Sequence, residues 1–454
     1  MPRSQSDLIP FREAVRTWAA ISLQTFGGPA GQIAVMQHKL VDENRWIGQR
    51  RFLHALNFCM LLPGPEAQQL AIYIGWLLNG IRGGLVAGIF FVLPGAAALL
   101  ALAGIYVGYG DTFLVSALFA GLAPAVIAIV LQAVVRIGKR AMRHPLLIAM
   151  AVTAFVLLAV FGVSFPIVVL GAGVLGWLLA RRFPHAFVAA SGDSGEDGPR
   201  PLIADDSLHD LAPSWRRAGA VLAIGLSLWL IPIGVAWLLT GRHGVLTEQG
   251  LFFSGTALVT FGGAYAVLAY VAQRAVEDFG WLEPGEMVKG LALAETTPGP
   301  LIMVVQFVAF LGAYGDPGGM NPWVAAVLGA LITTWVTFVP CFIFIFLGAP
   351  YVERLRQNHA LSAALTGITA AVVGVIANLA AFFALHTLFS DTTEITTGIL
   401  QLEVPVWSSI QWGALLITAI AAILVFRLTW SIPRVLLVCA ALGLVVSSVT
   451  AVAA

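Results

Sequence analysis

The sequence predicts an all-α polytopic membrane protein built from two inverted-topology repeats, and three observations lead to this prediction. Hydrophobic residues make up 59% of the 454 positions and charged residues only 10%, a composition that water-soluble folds do not show. Apolar stretches of bilayer-spanning length recur along the chain, and a pair of Gly/Pro motifs occurs twice at one spacing. We therefore expect the lipid bilayer as a partner of the chain, and no nucleic acid.

The apolar stretches give the number of crossings. A bilayer is spanned by about 20 helical residues, and nine runs approach or exceed that length. They cover residues 84–107, 112–135, 145–162, 166–180, 218–239, 322–347, 360–385, 413–426 and 433–450. We expect about nine full crossings. The stretch from Met1 to Arg16 has neither the apolar run nor the small-residue cleavage site of a secretory signal, so we expect no cleaved leader.

The two Gly/Pro motifs recur at the same offset. FGGPAG at 26–31 returns as FGGAYA at 261–266, and LPGPE at 62–66 returns as TPGPL at 297–301, both displaced by 235 residues. Charged and aromatic positions between them keep this register, whereas later matches shift to an offset of 246, which places one insertion near residues 316–322. The matched pairs include Lys39 with Arg274, Trp46 with Trp281, and, at the larger offset, Pro94 with Pro340 and Gly121 with Gly367. The chain is therefore interpreted as an internal duplication.

The segments around these motifs are too short to cross a bilayer. An arm of about 14 residues rises about 21 Å against a hydrocarbon core of about 30 Å. The first half contains 11–25, 29–44, 51–62 and 65–79, and the second half repeats this arrangement within 247–314. We expect four short-helix pairs, formed by Gly/Pro-broken helices or re-entrant hairpins. Irregular backbone survives at membrane depth only inside protein or beside a cavity, so the four breaks should face inward.

The basic residues predict how the halves are oriented. With a cytoplasmic N-terminus, every Lys and Arg falls on the cytoplasmic side except Arg242, Arg274 and Lys289. The loop 136–143 carries four basic residues, whereas its counterpart at 383–407 has none and carries three acidic ones. Under the positive-inside rule the halves have opposite orientations, with the C-terminus in the periplasm. The expected domains are an N-terminal repeat (1–183), an acidic cytoplasmic linker (184–213), a connecting transmembrane helix (214–240) and a C-terminal inverted repeat (241–454).

The breaks are the predicted substrate site. Helices interrupted near the midplane are typical of secondary transporters, and the positive dipole end of the helix after each break favours an anion. Glycine lets backbone approach a ligand, proline begins helices, and Thr and Gln side chains add donors. The predicted substrate-binding residues are Thr25, Gly27, Gly28, Pro29, Gln32, Pro63, Gly64, Pro65, Gln68, Gln69, Thr260, Gly262, Gly263, Thr296, Thr297, Pro298, Gly299 and Pro300. Gly and Pro that merely kink packed helices are the alternative explanation.

A few charged residues lie near the breaks. Glu66 and Glu295 occur at predicted membrane depth, where carboxylates are costly, so a coupling or gating role is predicted for both. The basic residues Lys39, Arg45, Arg274 and Lys289 could attract anions, and topological anchoring is the alternative. Eight scattered histidines and three cysteines in apolar segments show no ligand spacing, so we expect no metal and no cofactor.

With these motifs, the sequence resembles the chromate ion transporter family in its long, two-domain form. The resemblance rests on FGGPAGQIAVM at 26–36, LLPGPEAQQLAIYIGW at 61–76, FGGAYAVL at 261–268 and GLALAETTPGPL at 290–301. It implies a multi-pass protein of the prokaryotic inner membrane that exports chromate, a tetrahedral dianion, and confers chromate resistance. A transporter of sulfate or another oxyanion, an anion channel and a membrane-embedded enzyme are the alternatives. A transporter, not an enzyme, is the prediction, and a homodimer is left open.

Overall fold

The computed structural model describes residues 8–187, 202–203, 214–261, 263–349, 359–397 and 400–453, and most of them are helical. The helices are α1 (Phe11–Ser22), α2 (Gly28–Gln37), α3 (Gln49–Cys59), α4 (Glu66–Tyr109), α5 (Phe113–Ala141), α6 (Pro145–Ala159), α7 (Phe165–Arg182), α8 (Trp215–Thr240), α9 (Val245–Val259), α10 (Ala264–Gln273), α11 (Pro284–Thr296), α12 (Val304–Gly315), α13 (Pro322–Gly348), α14 (His359–Leu388), α15 (Trp412–Ala422) and α16 (Ile432–Ala453).

Seven of the described helices are long and apolar enough to cross a membrane. They are Glu66–Tyr109, Phe113–Ala141, Phe165–Arg182, Trp215–Thr240, Pro322–Gly348, Ala360–Leu388 and Ile432–Ala451. Three shorter apolar helices accompany them, at Pro145–Ala159, Leu301–Gly315 and Trp412–Arg427. Each of the nine predicted runs coincides with a long helix or with α6 or the helix from Trp412. The chain is a helical, multi-pass membrane protein, and the total of nine crossings stays a prediction.

The helical stretch α4 contains the predicted short arm and the separate crossing that follows it. The two helices meet at Asn79 and Gly80, whose backbone is not helical, and Gly80 has φ 61° and ψ −153°. Glycine tolerates this conformation because it has no Cβ. The Asn79 side-chain amide donates to the carbonyl of Ile9 at 2.8 Å, which fixes the kink against the start of the chain.

One β-hairpin was not predicted from the sequence. Strands β1 (Thr392–Thr397) and β2 (Leu400–Pro405) pair antiparallel, with Glu394 opposite Glu403. The His386 ring at the end of α14 lies 3.0 Å from Glu403 Oε1, and the Thr392 hydroxyl donates to the same oxygen at 2.7 Å. The hairpin is thus fastened to the helix that precedes it.

The described chain forms two compact units. Unit 1 comprises Met1–Leu99, Ala189–Gly263 and Thr297–His359, and unit 2 comprises Leu100–Val188, Ala264–Thr296 and Ala360–Ala454. Each unit takes segments from both sides of the linker. This grouping by contacts is distinct from the predicted division into repeats.

Unit 1 is held by aromatic packing and by reciprocal bonds between α8 and α13. Its core contains Trp18, Phe52 and Phe346 together with small residues. The indole of Trp229 donates to the carbonyl of Val336 at 3.0 Å, and the indole of Trp335 donates to that of Leu228 at 2.7 Å. The indole of Trp229 is buried and that of Trp335 is partly exposed, and the two reciprocal bonds set the register of the two helices.

Unit 2 is held by close helix packing through glycine. A Cβ at Gly121 of α5 would clash with the carbonyl of Cys439 in α16, and one at Gly443 would clash with the carbonyl of Ala117. Helices α7 and α14 meet in the same way at Gly176 and Gly367. Small residues allow backbones to approach in lipid, where the hydrophobic effect does not drive helices together.

Two described linker residues are docked on unit 1. The amide of Ile203 donates to the carbonyl of Trp46 at 3.0 Å, and the amide of Gly48 donates to the carbonyl of Ile203 at 3.2 Å. The Ile203 side chain is 5% exposed and belongs to the core of the unit. The predicted linker otherwise falls largely outside the described residues.

Candidate functional site

The helices are interrupted at all four Gly/Pro motifs. Gly28, Gly64, Gly263 and Gly299 have φ values of 70°, 115°, 105° and 105°, a region that side chains with a Cβ rarely occupy. Gly64 separates α3 from α4, Gly263 separates α9 from α10, and Gly299 separates α11 from α12, whereas Gly28 is the first residue of α2. Gly27 is also left-handed, at φ 81°, whereas the predicted site residue Gly262 lies outside the described residues.

Within unit 1 the breaks are joined in crosswise pairs. The amide of Gly64 donates to the carbonyl of Thr260 at 2.8 Å, and the amide of Gly299 donates to the carbonyl of Thr25 at 3.0 Å. The second break therefore contacts the third, and the fourth contacts the first. The amides of Gly64 and Gly299 are therefore not free to donate to a ligand, because other breaks supply their acceptors.

Two residues outside the motifs pack on the same glycines. A Cβ at Gly64 would lie 2.9 Å from Cys341 Sγ, and one at Gly299 would lie 3.4 Å from the Cα of Gly95. Gly95 is also in close contact with the carbonyl of Pro298. Sequence reasoning did not include Gly95 or Cys341 in the site. The matched Pro94 and Pro340, which immediately precede them, were the available signal.

The predicted threonine hydroxyls point back to their own helices. Thr25 donates to the carbonyl of Ser22 at 2.9 Å, Thr260 to that of Thr256 at 2.7 Å, and Thr296 to that of Leu293 at 2.7 Å. Thr297 is buried as well. The hydroxyls of Thr25, Thr260 and Thr296 therefore already donate to backbone carbonyls, and these bonds stabilise the helix ends at the breaks.

The prolines lie at helix starts, as their positions predict. Pro29 is in the first turn of α2, and Pro65 immediately precedes Glu66, the first residue of α4. Pro300 precedes a 3-10 turn, Leu301–Met303, that leads into α12. The carbonyl of Pro63 accepts from the side-chain amide of Gln69 at 2.6 Å. Helix N-termini with their positive dipole ends thus follow the breaks.

The glutamines differ in how their amides are used. Gln32 donates to the carbonyl of Gly299 at 2.5 Å, linking α2 to the fourth break. Gln68 in the first turns of α4 is fully buried, and neither its amide nitrogen nor its amide oxygen has a hydrogen-bond partner among the described residues. A buried amide without partners is costly, so Gln68 is the side chain best placed to accept a polar ligand.

The two acidic candidates occupy different surroundings. Glu66 is half-buried at the start of α4, and its Oε1 lies 3.8 Å from where a Cβ on Gly263 would be. Glu295 belongs to unit 2, is 2% exposed in the last turn of α11, and accepts a hydrogen bond from the Tyr265 hydroxyl. The helix dipole stabilises a negative charge at the position of Glu66 and destabilises one at that of Glu295.

The basic candidates already have partners or lie on the surface. Lys39 pairs with Glu43, whose pKa it lowers by hydrogen bonding, and Arg274 pairs with Asp278. The other two predicted residues are Arg45, which is exposed, and Lys289, which donates to the Tyr106 hydroxyl at 3.2 Å. Because Lys39 and Arg274 are neutralised locally, their long-range attraction for an anion is reduced.

Comparisons with known proteins agree with this architecture. A family model described as "Chromate transporter" matches residues 12–177 and 247–444. A chromate transport protein of Pseudomonas aeruginosa is 32% identical over 360 residues, which is 78% of this chain and 76% of that protein. One from Cupriavidus metallidurans is 28% identical over 392 residues, 86% of each chain. An uncharacterized transporter of Methanocaldococcus jannaschii is 22% identical over 372 residues, 80% of this chain and 82% of its own. No solved structure matches.

The matched segments include all four breaks and the helices around them, so the likeness extends to the candidate site. Together, the family model and the relatives cover most of the sequence. The chain belongs to the chromate transporter family.

Proposed function

We propose that this protein is a secondary transporter that exports chromate across the prokaryotic inner membrane by alternating access and thereby confers chromate resistance. The observation that carries the proposal is the crosswise pairing of the breaks. Gly64 with Thr260 and Gly299 with Thr25 are equivalent contacts under the 235-residue offset, because Thr25 corresponds to Thr260 and Gly64 to Gly299. Two halves that exchange the same contact are related by a pseudo-twofold axis.

Local structure supports the duplication further. A π-helical turn follows α2 at His38–Glu43 and another follows α10 at Arg274–Asp278, each carrying a Lys/Arg–carboxylate pair four residues apart. The amide of Trp46 donates to Leu40, and the amide of the matching Trp281 donates to Ala275. The two segments matched by the family model also begin 235 residues apart, at 12 and 247.

The charge distribution supports an inverted relation between the repeats. The N-terminus would lie in the cytoplasm and the C-terminus in the periplasm, with repeats at 1–183 and 241–454 joined through the linker 184–213 and the helix of 214–240. An odd number of crossings between the halves produces this inversion. Inverted repeats that meet at broken helices allow one site to open to either side of the membrane in turn.

The chemistry of the breaks suits an oxyanion. The unpartnered amide of Gln68 and the helix N-termini at Glu66 and Leu301 offer donors and positive dipole ends. Two relatives carry the name chromate transport protein, and chromate is a tetrahedral dianion. Sulfate has the same shape and charge, so transport of sulfate, with chromate carried by mimicry, is the second candidate.

The membrane potential favours movement of the anion out of the cell. Moving one charge through 100 mV is worth about 2.3 kcal/mol, so a dianion that leaves a negative-inside cell gains about 4.6 kcal/mol at that potential. Export therefore needs no further energy source, whereas uptake would. Electrogenic efflux follows from this difference.

The test uses everted membrane vesicles, in which export becomes uptake. We expect saturable chromate uptake that rises with an imposed inside-positive potential and is absent from vesicles without the protein. Uptake that is indifferent to the potential would contradict electrogenic efflux. Inhibition of chromate uptake by excess sulfate would favour the second candidate, a sulfate transporter that carries chromate by mimicry. Catalytic turnover of a substrate in detergent, where there is no second compartment, would indicate an enzyme instead.

A further inference from the structure

The buried pair Tyr265 and Glu295 in unit 2 is not explained by anion binding at the breaks. Tyr265 is 4% exposed and Glu295 is 2% exposed, and the tyrosine hydroxyl donates to Glu295 Oε1. Glu295 Oε2 is also buried and has no hydrogen-bond partner among the described residues. An ionised carboxylate with an unsolvated, unpartnered oxygen is costly, whereas the protonated form is not.

The pair flanks two of the breaks along the chain. Tyr265 follows Gly263 by two residues, and Glu295 precedes Thr297 by two residues. Two residues span at most about 7 Å of chain, so both groups are near break residues by covalent connection alone.

The pair is present in only one of the two halves. At the 235-residue offset, Tyr265 corresponds to Ala30 and Glu295 to Met60, neither of which titrates. In the first half, α2 and α3 are tied by groups that do not titrate, since Gln37 Nε2 donates to Gln49 Oε1 at 3.1 Å. A buried titratable pair is therefore not needed to close such a hairpin, and its presence in the second half points to a separate role.

The groups around Glu295 come from several helices. Helix α10 supplies Tyr265, and α5, which packs on α11, supplies Arg136, whose positive charge acts on both Tyr265 and Glu295. Helix α16 also packs on α11 and carries Arg434 in its first turn and Cys439 in its middle. Helix α11 itself carries Glu286 and Lys289, which interact with Tyr106. The positive charge of Arg136 favours the ionised form of Glu295.

We propose that Glu295, positioned by Tyr265, is a proton-binding site whose protonation is thermodynamically linked to oxyanion binding at the breaks. The inference rests on the proposed function. A dianion near an ionised Glu295 is repelled, and protonation removes the repulsion, so anion and proton favour each other's binding. Above the midpoint of the Glu295 titration, each bound anion is accompanied by the uptake of one proton.

The experiment measures chromate binding to the full-length protein in detergent by calorimetry, from about pH 7.5 to about pH 9.5, where chromate itself is the dianion. For the wild type we expect the affinity to fall with pH, approaching about tenfold per unit above the midpoint, as one linked proton requires. Glu295→Gln keeps the shape and the buried hydrogen bond but cannot titrate, so its affinity should vary less than about twofold over the same range.

Two further variants test whether Tyr265 positions the Glu295 carboxylate or only stabilises the fold. Tyr265→Phe removes the donor that stabilises the carboxylate, so the midpoint of the pH dependence should move to higher pH while the slope is retained. Glu286→Gln changes another Tyr-bonded glutamate on the same helix, and it should behave like the wild type. A role of Tyr265 in packing alone would lower stability without moving the midpoint.

The outcomes distinguish the two proposals. Wild-type binding that is independent of pH, or an unchanged pH dependence in Glu295→Gln, would overturn the proton site and leave the anion site standing. Failure of the wild type to bind chromate or sulfate at any pH would overturn the proposed function and the inference with it.

Discussion

The amide of Gly64 donates a 2.8 Å hydrogen bond to the carbonyl of Thr260, although 196 positions separate these residues in the chain. The same bond recurs between Gly299 and Thr25 at 3.0 Å. Backbone that leaves a helix at membrane depth must find partners within the protein, and here each break supplies them to another. The irregular segments are thereby fixed against one another, while the side-chain amide of Gln68 has no hydrogen-bond partner in the described part of the chain.

Replacement of Gly299 by alanine should destabilise the break and reduce transport. Its φ of 105° is strained for any residue with a Cβ, and the added atom would lie 3.4 Å from Gly95 Cα. Such strain costs about 1–3 kcal/mol, which a thermal-shift assay in detergent would detect. Gly255→Ala is the matched control, because this glycine lies inside α9 with no atom within 4 Å of the added Cβ. A Gly299→Ala protein as stable and active as the wild type would contradict the role of the break.

Replacement of Gln68 by leucine should abolish transport without lowering stability. The leucine removes a buried amide that has no partner in the described protein, so the folded state is expected to be as stable or more so. Chromate affinity should fall at least about tenfold, the value of one lost hydrogen bond to a charged group.

Gln306→Leu is the control for Gln68. Its amide donates to the carbonyl of Ala96 at 3.0 Å, so this change should lower stability by about 1 kcal/mol. Calorimetric binding and thermal unfolding on both variants give the comparison. If Gln68→Leu unfolds earlier and still transports, Gln68 is a structural residue.

Replacement of Ile203 by alanine should release the linker from unit 1. The side chain is 5% exposed in the core, and cutting a buried isoleucine back to alanine costs about 2–5 kcal/mol. Limited proteolysis should then cleave the linker more rapidly. The neighbouring Leu202 is 58% exposed, so Leu202→Ala should leave the cleavage rate unchanged. Equal rates in both variants would show that Ile203 does not anchor the segment.

The hairpin of β1 and β2 should loosen as the pH falls. Hydrogen bonds from His386 and Thr392 hold the pKa of Glu403 below its ordinary 4.5. A carboxylate with a depressed pKa stabilises the fold above its unfolded-state value, and this contribution is lost as the pH falls through the depressed one. The protection factors of the strand residues 392–397 and 400–405, which correct for the intrinsic slowing of exchange in acid, should therefore fall below about pH 4.5.

A charge-neutral variant checks the hairpin prediction. Glu403→Gln should exchange rapidly at neutral pH and lose the acid dependence, whereas Glu394→Gln, an exposed neighbour, should resemble the wild type. Slow exchange in Glu403→Gln at neutral pH would show that another contact fastens the strands.

Much of the fold is encoded locally and could be predicted. Every predicted apolar run became a helix, and the positions of Gly28, Gly64, Gly263 and Gly299 marked the four interruptions, because backbone conformation at glycine is a local property. The hairpin was missed because its strands are short and lie between two apolar runs. The end of the short arm at Asn79 was predicted from the sequence, and the backbone leaves the helical conformation at Asn79 and Gly80.

The site could be predicted only in part. The spacing of the motifs identified which residues surround the breaks. Which backbone amide donates to which carbonyl depends on contacts between distant parts of the chain. The hydrogen bonds of the Gly64 and Gly299 amides to other breaks were therefore not predicted. The hydroxyls of Thr25 and Thr260 were expected to serve the ligand, and they bond to their own helices. Gly95 and Cys341 join the site through packing, and their sequence signal is the matched prolines that precede them.

The most direct test of the account is counterflow by the purified protein in liposomes. Vesicles loaded with unlabelled chromate are diluted into a trace of radiolabelled chromate at zero membrane potential. An alternating-access carrier predicts transient accumulation of label above its equilibrium level, which excess external chromate saturates and which Gln68→Leu loses. Label that only equilibrates, with no overshoot and no saturation, would show a passive channel and contradict the central claim.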